Sequence, residues 1–204
     1  YIPEGTTVLL HGENGIIGQD KIAGRAFDND TEWEKAHSKE LTTSKEGHKD
    51  LCNAGNEYVT LIPGGCCFDS SISFAMARGG HLDATVLGAL QVDKHGNLAN
   101  WAVQGKSVNG MGGAMDLVSG AKKVIVAMEH CSKNGESKIV DECTMPLTAI
   151  GCVSVIVTEL CVIEFLDGEP TVTAMAPGLT RDELLAKTDT ALSFAENIGV
   201  MAVE

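Results

Sequence analysis

Apolar residues along this chain fall mostly in short unbroken runs instead of alternating with polar ones. Thr7–Leu10, Tyr58–Ile62, Ala84–Leu87, Lys123–Met128, Val153–Val157, Cys161–Phe165 and Thr171–Ala174 are the runs richest in β-branched residues. Continuous apolarity of this kind marks strands covered on both faces. Between the runs lie helix-like stretches at Ser71–Arg78 and Asp116–Ser119. A third starts at Thr180, where Thr180 and Glu183 stand at capping-box spacing ahead of Leu184 and Leu185. Leu166-Asp167-Gly168-Glu169 reads as a hairpin turn. Strands interspersed with helices predict an α/β layered fold with a largely parallel sheet flanked by helices.

One stretch breaks the pattern. From Asp20 to Asp50 the chain is dense in charge, with Phe27 and Trp33 as its only aromatics, and Glu32–Leu41 reads as an exposed helix. A solvated insertion is the favoured reading, because long polar excursions are thermodynamically tolerated; a lid over a nearby site is the second. No internal repeat or low-complexity tract is visible.

A length of 204 residues is most simply one domain, residues 1–204, able to bury a core without staples. Aromatics make up only 4% of the chain, so Val, Ala, Ile and Leu must fill the interior. Fifteen basic against 28 acidic side chains give a net charge of −13, which repels nucleic acid and anionic membrane surfaces. No run approaches the roughly 20 apolar residues that a membrane span needs. The seven cysteines are odd in number, lack C-x-x-C pairing, and form no zinc or iron ligand spacing with the six histidines. That usage predicts free thiols in a reducing compartment, cytoplasm or mitochondrial matrix, and no metal. The chain opens abruptly at Tyr1-Ile2-Pro3 with no visible signal peptide, and an upstream segment is expected to be missing.

Composition therefore narrows the partners, and the glycines point to chemistry. They cluster at Gly12 to Gly18, Gly64-Gly65, Gly79-Gly80 and Gly110 to Gly113. Glu13 sits in the first cluster, after the apolar run ending at Leu10, where a bulky ligand can approach a carboxylate unobstructed. An Asn-Gly pair alone marks any tight turn. The second cluster changes the weighing: Gly110-Met111-Gly112-Gly113-Ala114-Met115-Asp116 precedes a predicted helix start, so its successive N–H groups can form an anion nest or oxyanion hole. A carboxylate together with a donor nest suits acyl transfer. Arg78 either contacts a phosphate or, the favoured reading, pairs with an acid at the helix C-terminus. His81 and Asp83 lack a serine in a nucleophile elbow and so make a poor triad. Trp101 reads as core before ligand wall, and Met145–Thr148 as a structural turn.

In order, Glu13-Asn14-Gly15, Asn53-Ala54-Gly55, Arg78-Gly79-Gly80-His81, Leu87-Gly88-Ala89-Leu90-Gln91-Val92, Leu98-Ala99-Asn100-Trp101, Gly110 to Val118 and Met128-Glu129-His130 resemble the class I coenzyme A transferases. The likeness is to their β subunit, or to the C-terminal half of single-chain 3-oxoacid CoA-transferases, and covers about Tyr1–Gln19 and Leu51–Glu204. It implies a CoA-transferase-like fold, shared with sugar-phosphate isomerases. It also implies a ping-pong reaction through a glutamyl-CoA thioester on Glu13, with CoA as substrate and no cofactor. By the same likeness Gly113 and Ala114 supply oxyanion N–H groups, and Asn14, Gly15 and Gly112 lie against CoA. The implied partners are an α subunit or N-terminal half, an acyl-CoA and a short-chain or 3-oxo acid, in a hetero- or homo-oligomer. The sequence departs from the family at Gly12, where a serine is usual, in the longer 20–50 insertion, and in lacking the family's upstream strand and turn. A non-catalytic binding or regulatory domain and a thioester hydrolase are the competing readings.

Overall fold

The structure, a computed structural model, describes residues 8–23, 51–55, 58–103, 105 and 110–202. The chain forms two compact units that divide between Met76 and Ala77. Most of the Asp20–Asp50 stretch, with the expected helix at Glu32–Leu41, lies outside the described residues.

The first unit is built on an antiparallel three-stranded sheet of order β1-β2-β3: β1 (His11–Gly12), β2 (Ile16–Ala23) and β3 (Tyr58–Cys67). β1 and β2 form a hairpin with His11 opposite Ile17 and Gly12 opposite Ile16; β3 lies antiparallel on the far side, with Cys67 opposite Ile16 and Cys66 opposite Ile17. The strand expected at Thr7–Leu10 instead begins at His11. Val8, Leu9 and Leu10 are 47%, 59% and 45% exposed, so the coverage on both faces that their apolarity implied is absent among the described residues of this unit. Among the described residues the Leu10 carbonyl joins the sheet, accepting from the Gly18 N–H at 2.9 Å. A helix, Ser70–Arg78, follows β3 and runs into the second unit.

The second unit carries the main sheet, six strands in the order β12-β11-β10-β9-β7-β4. Its members are β4 (Thr85–Leu87), β7 (Val124–Ala127), β9 (Val155–Val157), β10 (Cys161–Leu166), β11 (Glu169–Met175) and β12 (Ser193–Val200). The pairs β4–β7, β7–β9 and β11–β12 are parallel, while β9–β10 and β10–β11 are antiparallel, so parallel pairing holds the majority in a mixed sheet. The β10–β11 turn is the hairpin read from the sequence. Leu166 faces Glu169, and Asp167 and Gly168 both take positive φ (52° and 84°), the two-residue geometry that matches strand twist. Val126, Ile156, Ile163, Val172 and Leu184 are fully buried and form the centre of an aliphatic core. A small second sheet, β6-β5-β8, joins β5 (Gln91–Asp93), β6 (Leu98–Ala99) and β8 (Ile139–Val140).

Among the described residues, the helices Ala114–Gly120 and Arg181–Leu185 lie wholly within the unit. The second starts at the capping box read from the sequence: the Thr180 hydroxyl accepts from the Glu183 N–H at 3.3 Å, and the Glu183 carboxylate accepts from the Thr180 N–H at 2.9 Å. The backbone hydrogen bond from Thr180 holds the Glu183 carboxyl below its usual range.

Candidate active site

Glu13 stands at the tip of the β1–β2 hairpin, in a three-residue loop closed by the Gly15 N–H donating to the Gly12 carbonyl at 2.9 Å. Three further contacts brace the loop. The Asn14 amide donates to the Cys52 carbonyl at 2.7 Å, and the Phe68 N–H donates to the Gly15 carbonyl at 2.9 Å. The Ser73 hydroxyl reaches the Gly12 carbonyl at 3.3 Å. Gly15 has φ of 107°, and a Cβ there would run into the Phe68 carbonyl, so this position admits only glycine. Against this bracing, the partly exposed carboxylate of Glu13 receives no hydrogen bond among the described residues. A carboxylate on a fixed backbone, with its lone pairs uncommitted, is the state a nucleophile needs.

The second glycine motif lies in the other unit. Gly113, buried, is the N-cap of the helix Ala114–Gly120 and has φ −88° and ψ 1°, next to Gly112 at φ 55°. Successive residues of opposite φ turn their N–H groups toward one side, the geometry of an anion nest. Among the described residues no acceptor takes up the N–H groups of Gly112, Gly113 or Ala114. The helix behind them is held by an ion pair, Arg78 Nη1 to Asp116 Oδ1 at 2.7 Å. Arg78 thus pairs with an acid, as favoured from the sequence, but the acid sits on another helix. Gly120 lets the two helices touch, since a Cβ there would strike the Ala77 carbonyl.

His81 is exposed, and Asp83 pairs with Lys122 at 2.6 Å, so the two do not act as a dyad. Trp101 is half-buried and donates from Nε1 to the Leu147 carbonyl at 3.3 Å, fastening the Met145–Thr148 turn. All seven cysteines are free thiols, and burial pushes Cys143 up to about 12 and Cys161 up to about 11. Among the described residues no group of His, Cys, Asp and Glu has the geometry of a metal site, and no helix is long and apolar enough to cross a membrane.

A family model described as coenzyme A transferase matches residues 37–187. The chain belongs to the coenzyme A transferase family. This transferase chain is 46% identical over 198 residues to the β subunit of the acetate CoA-transferase of Escherichia coli K12, spanning 97% of the chain and 82% of that protein. It is 50% identical over 185 residues to a succinyl-CoA:3-ketoacid coenzyme A transferase component of Helicobacter pylori, the one designated B, spanning 91% of the chain and 80% of that protein. The human mitochondrial succinyl-CoA:3-ketoacid coenzyme A transferase 2 is 44% identical over 203 residues, 98% of this chain but 36% of its own length. Among solved structures, an acyl-CoA transferase from Escherichia coli O157:H7 superposes with TM-score 0.61 at 21% identity, over 74% of this chain and 33% of that one. Glutaconate coenzyme A-transferase from Acidaminococcus fermentans gives 0.57 at 13% identity, over 76% and 68%. Those two structures share the fold, and the closer sequence relatives place the chain among enzymes that transfer CoA.

One titratable centre of the transferase was not singled out from the sequence as a buried anchor. His130, fully buried just beyond β7, donates from Nε2 to Thr188 Oγ1 at 2.9 Å, because that hydroxyl spends its own proton on the Leu184 carbonyl at 2.8 Å. Nδ1 then faces the Thr158 hydroxyl at 3.1 Å, and the backbone N–H donates to Glu159 at 2.9 Å. Burial lowers the imidazole below its usual 6.5, with the Glu159 charge opposing and Lys187 adding. The unfolded chain therefore takes up a proton first as pH falls. The contribution of His130 is complete above 6.5 and is lost as pH drops through the lowered folded value. His11, lowered by burial too, acts in the same direction. Urea unfolding at pH 7.5 and 5.5 is expected to show a lower midpoint at the acid end, with His130→Gln narrowing the difference.

Proposed function

We propose that the chain is the β-type component of a two-part CoA-transferase in which Glu13 carries the acyl and CoA groups in turn. The supporting observation is the hairpin tip, where the backbone on either side of Glu13 is fastened while its carboxylate remains uncommitted among the described residues. A Glu13 oxygen attacks the thioester carbonyl of an acyl-CoA; a C–O bond forms, the C–S bond breaks, and CoA leaves as thiolate, giving a mixed anhydride. The thiolate attacks the glutamyl carbonyl, forming C–S and breaking C–O, so the first acid departs as carboxylate and Glu13 holds CoA. The acceptor carboxylate reverses both steps and regenerates Glu13. No proton is consumed, and the thioester's energy is retained provided water is excluded.

The family resemblance assigns the oxyanion of the tetrahedral intermediates to the N–H groups of Gly113 and Ala114. Their uncommitted state and the nest-like backbone support that role. A donor of this kind is worth on the order of 3 kcal/mol of barrier. Asn14, Gly15 and Gly112 are assigned to CoA. For Gly15, whose N–H and carbonyl are both used within the first unit, the contribution is room for approach. The names of the bacterial relatives mark each as one component, β or B, of its enzyme, which supports an α partner. Their names also support short-chain and 3-oxo acids as substrates.

The test is to incubate the chain, assembled with its α partner, with acyl-CoA, treat with borohydride or hydroxylamine, and map the mass change. Modification confined to Glu13 is the expected result. An unmodified Glu13 in protein that still turns over would overturn the proposal, and CoA release without an acceptor acid would indicate hydrolysis.

A further inference from the structure

Two side chains that the reaction as written does not use converge on the peptide that carries the nucleophile. His11 Nε2 lies 2.9 Å from the Ser73 hydroxyl, and that hydroxyl lies 3.3 Å from the carbonyl of Gly12, the residue immediately before Glu13. Ser73 is fully buried, although it is a serine inside the helix Ser70–Arg78. In a helix such a hydroxyl ordinarily points to solvent or bonds back to the preceding turn; here it leaves its helix and crosses 61 positions of sequence to a hairpin. The His11 ring stacks on Phe68, with centroids 6.3 Å apart and planes 25° from parallel. Phe68 in turn holds the Gly15 carbonyl on the other side of Glu13.

We infer that His11 and Ser73 are positioning residues for Glu13: a neutral imidazole donates from Nε2 to the Ser73 hydroxyl, which donates to the Gly12 carbonyl and fixes the peptide that aims the carboxylate. One serine proton and one imidazole proton satisfy both contacts in this direction. The opposite direction would spend the serine proton on the ring and leave the 3.3 Å contact to Gly12 without a hydrogen. Burial lowers the His11 pKa and so keeps the ring neutral at physiological pH. Position 12 is glycine and has no side chain of its own, so the hydroxyl beside this peptide comes from another element. The inference rests on the proposed role of Glu13. A misplacement of about 1 Å at a reacting group is enough to slow a step by about 10²-fold.

The assembled enzyme is compared with His11→Ala, His11→Gln and Ser73→Ala by steady-state kinetics, by the single-turnover rate of Glu13 modification with acyl-CoA, and by thermal unfolding. His11→Ala and Ser73→Ala are expected to lower kcat and the modification rate together by about 10- to 100-fold, with KM for acyl-CoA within about twofold. His11→Gln, whose amide supplies a neutral Nε2 donor, is expected to recover most of the loss. The inference fails if the two alanine variants lose stability at unchanged kcat, if the loss lies in KM, or if His11→Gln is no better than His11→Ala. Should Ser73→Ala not assemble, the two His11 variants carry the same comparison. Absence of any Glu13 adduct in the parent enzyme would instead refute the nucleophile assignment itself, so the two failures are distinguishable.

Discussion

Glu13→Gln is expected to abolish CoA transfer in the assembled enzyme, with kcat falling by more than about 10⁴-fold, the scale on which losing a covalent nucleophile is felt. The amide is nearly isosteric, but its oxygen cannot form an anhydride that CoA thiolate will open. Since the carboxylate makes no hydrogen bond among the described residues, the exchange removes no contact there. Stability is therefore expected to change by less than about 0.5 kcal/mol. Circular dichroism melting and an acyl-CoA:acid exchange assay measure the two quantities on one preparation. Turnover within tenfold of the parent would remove Glu13 from the mechanism.

The largest structural effect is expected at Gly15. Gly15→Ala places a Cβ on backbone with φ of 107°, directly against the Phe68 carbonyl, and no rotamer relieves it because the obstacle is main chain. Positive φ alone costs about 1–2 kcal/mol for an L-residue. The collision adds to this, so a loss of more than about 3 kcal/mol in the first unit is expected, with turnover falling as the hairpin tip shifts. Gly178 is the control: its φ is 79°, but an added Cβ would meet nothing within 4 Å, so Gly178→Ala should show strain without collision. Denaturant unfolding of both variants checks the difference. Equal losses would mean that Phe68 yields and the tip is not rigid.

The readable part of this fold is where local chemistry carries its own address. The runs that became β7, β10 and β11 are rich enough in β-branched residues to read as strands, and Asp167-Gly168 can hardly be anything but a two-residue turn. Thr180 and Glu183 announce a helix start within four residues. β5, β6 and β8 went unread because none sits in a β-branched apolar run: Val92 lies between Gln91 and Asp93, Leu98-Ala99 has no β-branched residue, and Ile139-Val140 is bounded by Lys138 and Asp141. β12, Ser193–Val200, escaped because it holds Glu196, Asn197 and Gly199 and is a strand only by virtue of lying parallel to β11.

The site divides along the same line. Glu13 and Gly113 stand out as candidates in the sequence because glycine clusters are unusual and the motif order resembles a family. The fastening of the tip does not, since His11–Ser73 and Asn14–Cys52 join positions 62 and 38 apart, and nothing in a serine or an asparagine names so distant a partner. Arg78 lay between these cases: that it would meet an acid could be argued locally, whereas Asp116 as that acid follows only from two helices meeting at Gly120.

The unequal placement of the thiols has a practical side. Cys143 and Cys161 stay protonated at any physiological pH, whereas Cys66 and Cys67 are exposed on β3, across from Ile17 and Ile16 at the root of the hairpin that bears Glu13. Alkylating reagents are accordingly expected to collect on the strand paired with the hairpin of the proposed nucleophile, Glu13, and to hinder it by bulk alone. An inactivation curve from such a reagent would look like the signature of a cysteine enzyme while reporting only crowding.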